Sequence, residues 1–541
     1  MANKLKKKNT MDKLPVKKSA QGAEIETRPI YIEEWLDSLS YIDFQKTSSL
    51  LNEALVATNK ADIKSSVRLE LVELYNRPYQ YYVASQINAG AQHTLQTIDA
   101  MGSQVSHLKQ IAVSLSYACK LAFDTALNKK TLWKQSKPPV EAMLMSMNYL
   151  SHALIFSFLE YAPIPKNVWQ QLNFIYDFTE SMDCHKKIYS IPGPNNKNIS
   201  TTVDHVYKKI MMASLVDPHH LPFGAIWEVF EQLDNWAEYT QIHPMQSVSN
   251  ASGYFVVDLK TDDKAVPYSK FDQSKAHDKV RLLDSTPLDD LIKKQIDLIQ
   301  IGQPIDKSIV LSPFYAKALL AHMLKAWGLP PNRYFPRKAK SGKLKIVSGT
   351  RAIYYYLNNG QVFQNVSAAN EDEEIDISEN PSEDQTLSLS GSHYIPEEWR
   401  IVDEGSGGYA VIRDEKPKKA MRVGDLVGIS IDGEDNIWSI GVTRWLMVSK
   451  SVHKIGLQII SDTAKPISLR ACSGSKADQE FKPAFLASHT NDPNDLSIIV
   501  EKGLYIEGRE MEMILGDKKE LITANTIIES SMTYEVFSYK T

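Results

Sequence analysis

Two arginines four residues apart, Arg333 and Arg337, enclose the tripeptide Tyr-Phe-Pro and have the chemistry to bind an anion. Proline fixes its own φ angle and biases the preceding phenylalanine away from the helical region, so the stretch is predicted to be extended or irregular. Both side chains can then turn toward one point. Because guanidinium is planar, permanently charged and able to donate two parallel hydrogen bonds, the pair suits phosphate groups and guanine edges.

A glycine-dense turn, Asp403-Glu-Gly-Ser-Gly-Gly408, is the second candidate element. Its glycines allow positive φ angles and let a ligand approach the backbone closely. The carboxylate of Asp403 can accept hydrogen bonds from the N1–H and N2–H₂ groups of guanine, or it can cap the turn. Taken alone, such a hairpin is most often only a tight turn, and an Arg-x-x-x-Arg spacing is common. Each element alone therefore leaves both interpretations open, and the position of the arginines between a helical part and a β-rich part favours a functional role for them.

Composition limits the classes of protein to which the chain can belong. Its 541 residues exceed what one hydrophobic core usually serves, and 43% of them are apolar, so several globular domains are expected. The net charge of −4 argues against bulk binding of nucleic acid, and no nucleic-acid partner is expected. Three widely separated cysteines and the lack of an 18-residue apolar run predict a cytoplasmic protein without a membrane span.

The chain divides by its periodicity into a helical part and a β-rich part. We predict an α+β multidomain fold, with an N-terminal all-α helical domain followed by an antiparallel β-barrel and additional C-terminal β-structure. The predicted segments are a disordered basic leader at 1–28, the helical domain at 29–328, the barrel at 329–478 with an acidic disordered insertion near 368–390, and a further β-unit at 479–541. Gly328-Leu-Pro-Pro marks the main boundary, because glycine and proline stop a helix.

The individual elements follow from the same patterns. Apolar residues at helical spacing predict helices at 140–161, 168–189, 202–214, 223–239, 287–301 and 312–327, with one short strand at 253–259. Short β-branched and aromatic runs predict strands at 343–347, 352–356, 399–402, 409–412, 426–431, 438–445, 455–460, 484–487, 496–500, 510–515 and 533–537.

Together, the arginine pair and the glycine-dense turn resemble the PilZ domain, the bacterial receptor module for cyclic di-GMP. The family pattern is Arg-x-x-x-Arg in an N-terminal loop, followed by Asp/Asn-x-Ser-x-x-Gly at the start of a barrel strand. Arg333 and Arg337 match the first part, and Asp403 and Gly408 match the ends of the second. Three further stretches look similar to the family: Arg422-Val-Gly-Asp-Leu, Ile440 to Trp445 and Ile455-Gly-Leu-Gln. The resemblance covers about residues 333–475.

The resemblance implies a non-enzymatic cyclic di-GMP receptor that relays the level of this second messenger to a protein partner through its helical domain. The arginines would hold phosphates and guanine O6 and N7 edges, and Asp403 would hold the donor edge of a guanine. Cyclic di-GMP would be a regulatory ligand, and no cofactor is expected. The partner would be a still unidentified protein, for example of the motility, pilus or exopolysaccharide machinery. The implied ligand-binding residues are Arg333, Arg337, Asp403, Gly405, Ser406 and Gly408.

Two departures from the family pattern leave an alternative open. Gly405 stands where the family has serine, and Ser406 follows one position later. The two halves of the pattern are also far apart, largely because the acidic segment 371–385 and its flanks lie between them. The alternative is a degenerate PilZ scaffold that binds no nucleotide and acts as a protein–protein interaction adaptor.

Other clusters of reactive residues give weaker indications. Asp217-Pro-His-His220 could suggest a metal site, but adjacent histidines point in different directions, and a turn between two helices is the simpler interpretation. Neighbours such as Cys184 and His185 rarely have the mutual geometry of a nucleophile and its base. No nucleophile elbow, phosphate-binding loop or zinc-protease signature occurs, so neither a catalytic nor a metal site is predicted.

Overall fold

The computed structural model divides the chain into two compact units. The first comprises Met1–Pro218 with Gly224–Pro331, and the second comprises His219–Phe223 with Asn332–Thr541. The structure describes residues 16–19, 22–88, 97–128, 140–193, 197–311, 316–328, 338–364, 394–405, 407–418, 421–431, 437–449, 451–472, 480–488, 496–531 and 533–541. The predicted α+β fold class is confirmed: helices dominate the first unit, and antiparallel barrels form the second.

The first unit is built mainly from helices. A short antiparallel hairpin of β1 (Val16–Ser19) and β2 (Gly22–Ile25) lies in the segment that was predicted to be a disordered leader. The helices are α1 (Pro29–Ser38), α2 (Phe44–Lys60), α3 (Ser65–Asn88), α4 (Thr97–Asn128), α5 (Val140–Leu159), α6 (Val168–Ser181), α7 (Val203–Leu215), α8 (Ala225–Trp236), α9 (Thr286–Gln300) and α10 (Ala316–Trp327).

Helix α5 is the centre of this unit, as its apolar sequence predicts. Nearly all of its side chains are buried, and their contacts include helices α4, α6, α7 and α8. By length and composition alone, helix α5 could also cross a membrane, but buried core helices meet the same two criteria. In this fold, 94% of its most apolar window is buried. An all-round apolar helix is therefore used here as a core element.

Helix α6 is shorter than the predicted helix at 168–189. It ends at Ser181, and Asp183 has a φ of 50°, a left-handed conformation that cannot continue an α-helix. The following residues form a hairpin of β3 (Tyr189–Pro192) and β4 (Asn198–Thr201), which the predicted all-α domain did not include. Pro218–His220 form a short 3₁₀ helix between α7 and α8.

The short strand predicted at 253–259 is part of a small antiparallel sheet in the first unit. It corresponds to β6 (Tyr254–Asp258), which pairs with β7 (Val266–Pro267) and β8 (Val280–Asp284), while β5 (Gln241–Pro244) pairs with the other side of β8. The buried residues Val256, Val280 and Leu282 form its core.

The histidine in helix α5 makes the stability of this unit depend on pH. The Nδ1 atom of His152 lies 2.8 Å from the hydroxyl of Tyr79, and its ring is 5.8 Å from that of Trp227. Burial lowers the pKa of His152 from 6.5 to about 3. Between these two pKa values, His152 binds a proton in the unfolded chain but not in the folded chain. The free energy of unfolding therefore falls as the pH drops below the pKa of the unfolded chain.

The expected loss of folding free energy at pH ~5, relative to neutral pH, is about 2 kcal/mol for this single group. Urea unfolding of the full chain, followed by tryptophan fluorescence at several pH values, measures it. His152→Gln, which keeps a hydrogen-bonding group near Tyr79, should remove most of this pH dependence. An unchanged dependence in the variant would assign it to other groups.

The second unit begins with a six-stranded antiparallel barrel. The predicted alternation is seen in part of the barrel, where the buried Leu344 and Ile346 alternate with the more exposed Lys343 and Lys345. The neighbour order is β10-β13-β14-β15-β12-β11, a β10–β11 pairing closes it, and β9 extends it beside β11. The strands are β9 (Lys338–Ala339), β10 (Lys343–Ser348), β11 (Glu397–Gly405), β12 (Gly408–Arg413), β13 (Leu426–Ile431), β14 (Ser439–Ser449) and β15 (Val452–Ser461).

One predicted strand of this barrel is wrong. Residues 352–356 lie in helix α11 (Thr350–Leu357), which follows Gly349 at a φ of 96°. The helix buries Ala352 and Ile353, and the Tyr356 ring lies 4.3 Å from the ring of Trp438. A short aromatic run fits a strand and a buried helical turn equally well by pattern, and here the tertiary contacts favour the helix.

A second closed barrel completes the unit. Its neighbour order is β16-β17-β18-β21-β20-β19. Four of its strands were predicted, whereas β16 and β20 were not, and β16 begins upstream of residue 479, the predicted start of the C-terminal β-unit. The strands are β16 (Lys465–Ala471), β17 (Lys482–Ser488), β18 (Leu496–Glu501), β19 (Glu510–Leu515), β20 (Lys518–Ser530) and β21 (Tyr534–Lys540).

Candidate functional site

The glycine-dense turn connects strands β11 and β12 of the first barrel. Gly405 and Gly408 are register partners, so only two residues separate the paired ends of the strands, and the backbone N–H of Ile459 donates to the Gly407 carbonyl at 2.9 Å. Asp403 pairs with Ala410 after a bulge that follows Ile401. Tight hairpins of this length favour glycine. The turn thus brings Asp403, Gly405 and Gly408 together at one end of the barrel.

Gly408 is required by the sheet itself. A Cβ atom at this position would lie 1.9 Å from the carbonyl oxygen of Leu457 in strand β15, far inside van der Waals contact. Strand β15 runs against β12 here, with Gln458 as the register partner of Gly408. At Gly407, by contrast, a Cβ atom would meet nothing within 4 Å. Strand pairing therefore requires a glycine at position 408, which matches the family pattern, whereas open space lies beside Gly407.

Strand β9 brings the chain that follows the arginine pair to the same hairpin. Lys338, the residue directly after Arg337, pairs with Glu404, and Ala339 pairs with Asp403. The Nζ atom of Lys340 lies 2.9 Å from the Oε1 atom of Glu404. The hydrogen bond from this lysine lowers the pKa of Glu404. The ammonium group of Lys340 is thereby held beside the turn, and Glu404 partly neutralises its charge.

The predicted site residues divide into two groups. Asp403, Gly405 and Gly408 lie together in the β11–β12 hairpin. Arg333, Arg337 and Ser406 lie outside the described residues, so the convergence of both arginines with Asp403 stays a prediction.

Several neighbours of this hairpin were missed from the sequence. Lys340 also lies 5.5 Å from the ring centroid of Tyr409, the register partner of Glu404. Beside Gly408, the side chain of Gln458 accepts a hydrogen bond from the Nε atom of Arg444 at 2.7 Å. Lys340 ends the basic run Arg-Lys-Ala-Lys that starts at Arg337, a run that could have signalled more positive charge at the site. No local pattern signals the contacts of Tyr409 and Arg444, which depend on strand register.

A polar cleft in the first unit is the place where an enzyme site would be sought. It is lined by Asp204, His205, Lys208 and Asp234, among others. The carboxylate of Asp204 lies 3.1 Å from the ammonium of Lys208, and that of Asp234 pairs with Lys209 at 2.5 Å. Burial lowers the pKa of His205. Because these carboxylates are paired with lysines, the cluster is explained by ion pairing, and no group of three potential metal ligands occurs in the described part of the chain.

Comparisons with known proteins match both units. The N-terminal domain of the cyclic-di-GMP receptor FimW matches residues 31–246, and the middle PilZ domain of the same receptor matches residues 254–393 and 370–466. Over 564 aligned residues, the chain is 19% identical to the cyclic-di-GMP receptor FimW of Pseudomonas aeruginosa, covering 95% of this chain and 90% of that protein. The second match contains all the strands of the first barrel.

Proposed function

We propose that this chain, which belongs to the PilZ-domain family of cyclic di-GMP receptors, is itself a non-enzymatic receptor for cyclic di-GMP. The observation that carries the proposal is the pairing of β9 with β11, in which Lys338 lies opposite Glu404 and Ala339 opposite Asp403. Consecutive Cα atoms are about 3.8 Å apart, so the proposal places Arg337 near this end of the hairpin. In the proposed site, this strand pair joins the two halves of the family pattern, although the sequence between them is long.

Each residue type has a specific role in the proposed site. Arg333 and Arg337 bind phosphate oxygens or the O6 and N7 edge of guanine through paired hydrogen bonds. Asp403 accepts hydrogen bonds from the N1–H and N2–H₂ groups of a guanine. The open space beside Gly407 lets the ligand approach the backbone of the turn. Gly408 serves the site indirectly, because it allows β12 and β15 to pair closely.

The altered serine position does not remove the main binding groups. Gly405 lacks the hydroxyl that the family pattern has at this position, and the loss of one neutral hydrogen bond costs about 1 kcal/mol. Ser406, one position later in the turn, is proposed to supply that contact. Lys340, close to the same turn, offsets the negative charge of Glu404 and so leaves the turn less repulsive to an anionic ligand.

We further propose that ligand binding is passed to a protein partner. Arg333 and Arg337 lie in the segment between the described residues 328 and 338, which joins the two units, so a ligand that binds both would restrict this segment. Such a change can shift an equilibrium only by the difference in ligand affinity between its two states. The helical domain is the proposed output surface, acting in the cytoplasm on a protein of the motility, pilus or exopolysaccharide machinery.

Isothermal titration calorimetry with cyclic di-GMP tests the receptor proposal. We expect saturable heat from the full chain and no heat from cyclic di-AMP, because adenine lacks the O6 acceptor and the N1–H and N2–H₂ donors that Arg337 and Asp403 are proposed to bind. No heat at tens of micromolar cyclic di-GMP would sink the receptor proposal. The degenerate scaffold, which the glycine at position 405 keeps as the second candidate, would then be the better description.

A further inference from the structure

We propose that residues 465–541 form a second PilZ-type barrel, which has lost the nucleotide site and uses the corresponding face to dock onto the first barrel. The two barrels have the same strand connectivity. When the strands of each are numbered one to six in chain order, strand one pairs with two and four, two with three, three with six, four with five, and five with six. Every pair is antiparallel in both barrels.

The two barrels also share a pair of backbone hydrogen bonds directly before the fourth strand. In the first barrel, Gly424 N–H donates to the Thr443 carbonyl at 2.7 Å, and Thr443 N–H donates to the Asp425 carbonyl at 3.0 Å. In the second, Gly508 N–H donates to the Ala524 carbonyl at 2.8 Å, and Ala524 N–H donates to the Arg509 carbonyl at 2.9 Å. Strand connectivity alone does not require this agreement.

The conformation and register around these bonds agree as well. Both glycines have a positive φ, 96° for Gly424 and 76° for Gly508. In each barrel, the six-residue fourth strand, β13 or β19, begins two positions after this glycine. The register of the fifth strand with the sixth becomes irregular directly after Thr443 in one barrel and directly after Ala524 in the other. These agreements identify corresponding residues in the two barrels.

The same correspondence shows what the second barrel has lost. When the register pairs are followed from strand to strand, Asp403 of the first barrel corresponds to Ala487 of the second. Asp403 pairs with Ala410, and Ala487 pairs with Ser497. A buried methyl group thus stands where the first barrel has the carboxylate. The tight turn is replaced by residues 489–495, whose sequence His-Thr-Asn-Asp-Pro-Asn-Asp contains no glycine.

The second barrel also lacks an arginine pair. The chain after residue 461 contains only two arginines, Arg470 and Arg509, which are far apart in sequence. The guanidinium of Arg470 is paired with Glu512, and Arg509 is buried and donates to the carbonyl of Leu504 at 2.8 Å. No arginine is therefore left in this barrel to hold a nucleotide as proposed for the first.

The face that corresponds to the proposed ligand face is apolar and covered. Arg400 of the first barrel, whose side chain is 62% exposed, corresponds to Phe485, which is 0% exposed. Residues of both barrels and of α11 form one hydrophobic core, separate from the core inside the second barrel. This shared core comprises Val347, Ala352, Ile353, Leu426, Trp438, Ile440, Val442, Phe485, Ala487, Ile499, Tyr534 and Val536.

Polar contacts at the rim of this core link the same two barrels. The hydroxyl of Thr350 donates to Glu501 at 2.5 Å, and the Nη2 atom of Arg444 donates to Glu529 at 2.7 Å. The hydroxyl of Tyr534 also donates to Glu529, at 2.7 Å. The docking face is therefore held by an apolar centre with hydrogen bonds around it, the arrangement expected of a permanent interface.

Hydrogen-exchange mass spectrometry on the full chain, without ligand, tests the docking. Phe485→Asp is expected to speed exchange by at least about tenfold in β10, β13, β14 and α11 of the first barrel, because a charge replaces a buried ring. Trp438→Ser tests the interface from the other side and should speed exchange in β17, β18 and β21. Leu521→Asp, at a position 61% exposed on the second barrel, is the control and should change neither barrel. Effects confined to the substituted barrel would overturn the docking proposal.

The same method with cyclic di-GMP tests the loss of the nucleotide site, and this arm rests on the proposed function. Ligand should protect the β11–β12 hairpin but not β17 and β18, and the double replacement of Arg333 and Arg337 by alanine should lose all protection. Protection of β17 and β18, or protection that persists in the double variant, would contradict a single nucleotide site in the first barrel. If the wild type is protected nowhere, the receptor proposal fails, whereas the ligand-free arm still decides whether the second barrel docks as proposed.

Discussion

Arg337→Ala is expected to raise the dissociation constant for cyclic di-GMP by about 10- to 150-fold. This range corresponds to about 1.5–3 kcal/mol, the contribution of a hydrogen bond to a charged group. The effect should be large because the residue after Arg337 is held opposite Glu404, so no other side chain can take over the same position without changing the β9–β11 pairing. Replacing both Arg333 and Arg337 should reduce the calorimetric signal to that of buffer.

Two further variants separate binding from general charge and stability. Arg337→Lys keeps the positive charge but cannot donate two parallel hydrogen bonds, so we expect it to recover only part of the affinity. Arg351→Ala removes an exposed arginine from helix α11 and should bind as the wild type does. Thermal unfolding should show all of these variants as stable as the wild type. An unchanged dissociation constant in Arg337→Ala would contradict the proposed site.

Several barrel strands could be predicted because they combine a period of two with residues that punctuate their ends. Strand β19 is an example: the predicted and observed bounds agree, and its buried Met511 and Met513 alternate with more exposed glutamates. The α11 segment could not be predicted in the same way. Its apolar and aromatic residues fit either a strand or one face of a short helix, and only contacts with Trp438 and its neighbours decide between them.

The proposed site was predicted by residue type, but its geometry depends on long-range pairing. Sequence indicated Asp403 and Gly408, whereas the nearness of Lys340 to Glu404 follows from a two-residue strand, β9, that no periodicity can reveal. Gly408 also has a structural role that its sequence context did not indicate. The predicted close approach of a ligand stays a prediction, and the backbone of Leu457 is a further reason for glycine at this position.

The repetition of the barrel escaped sequence reading because the shared features belong to the backbone. The corresponding strands β13 and β19 read LVGISI and EMEMIL, which have almost no residues in common. What they share is a preceding glycine at positive φ and the register of their neighbours. Such features constrain residue type at only a few positions, so two sequences can diverge widely around the same connectivity.

Gly408→Ala is expected to destabilise the first barrel by about 3 kcal/mol or more, the upper range for single substitutions. The added Cβ atom would lie 1.9 Å from the carbonyl oxygen of Leu457, and backbone in the middle of a strand pair cannot rotate away as a side chain can. Strands β12 and β15 would have to separate next to Gln458, which breaks ladder hydrogen bonds. Urea unfolding followed by circular dichroism measures the loss.

Gly407→Ala is the matched control for this prediction. A Cβ atom at position 407 meets nothing within 4 Å, so the free energy of unfolding should change by less than about 0.5 kcal/mol. The two variants also separate the structural role of the turn from its contact with ligand. If the ligand approaches the backbone beside Gly407, Gly407→Ala should weaken cyclic di-GMP binding while the barrel stays folded, whereas Gly408→Ala should lose binding together with the fold. A Gly408→Ala protein as stable as the wild type would show that β15 can move away, and the close pairing of β12 with β15 would then not be what requires glycine there.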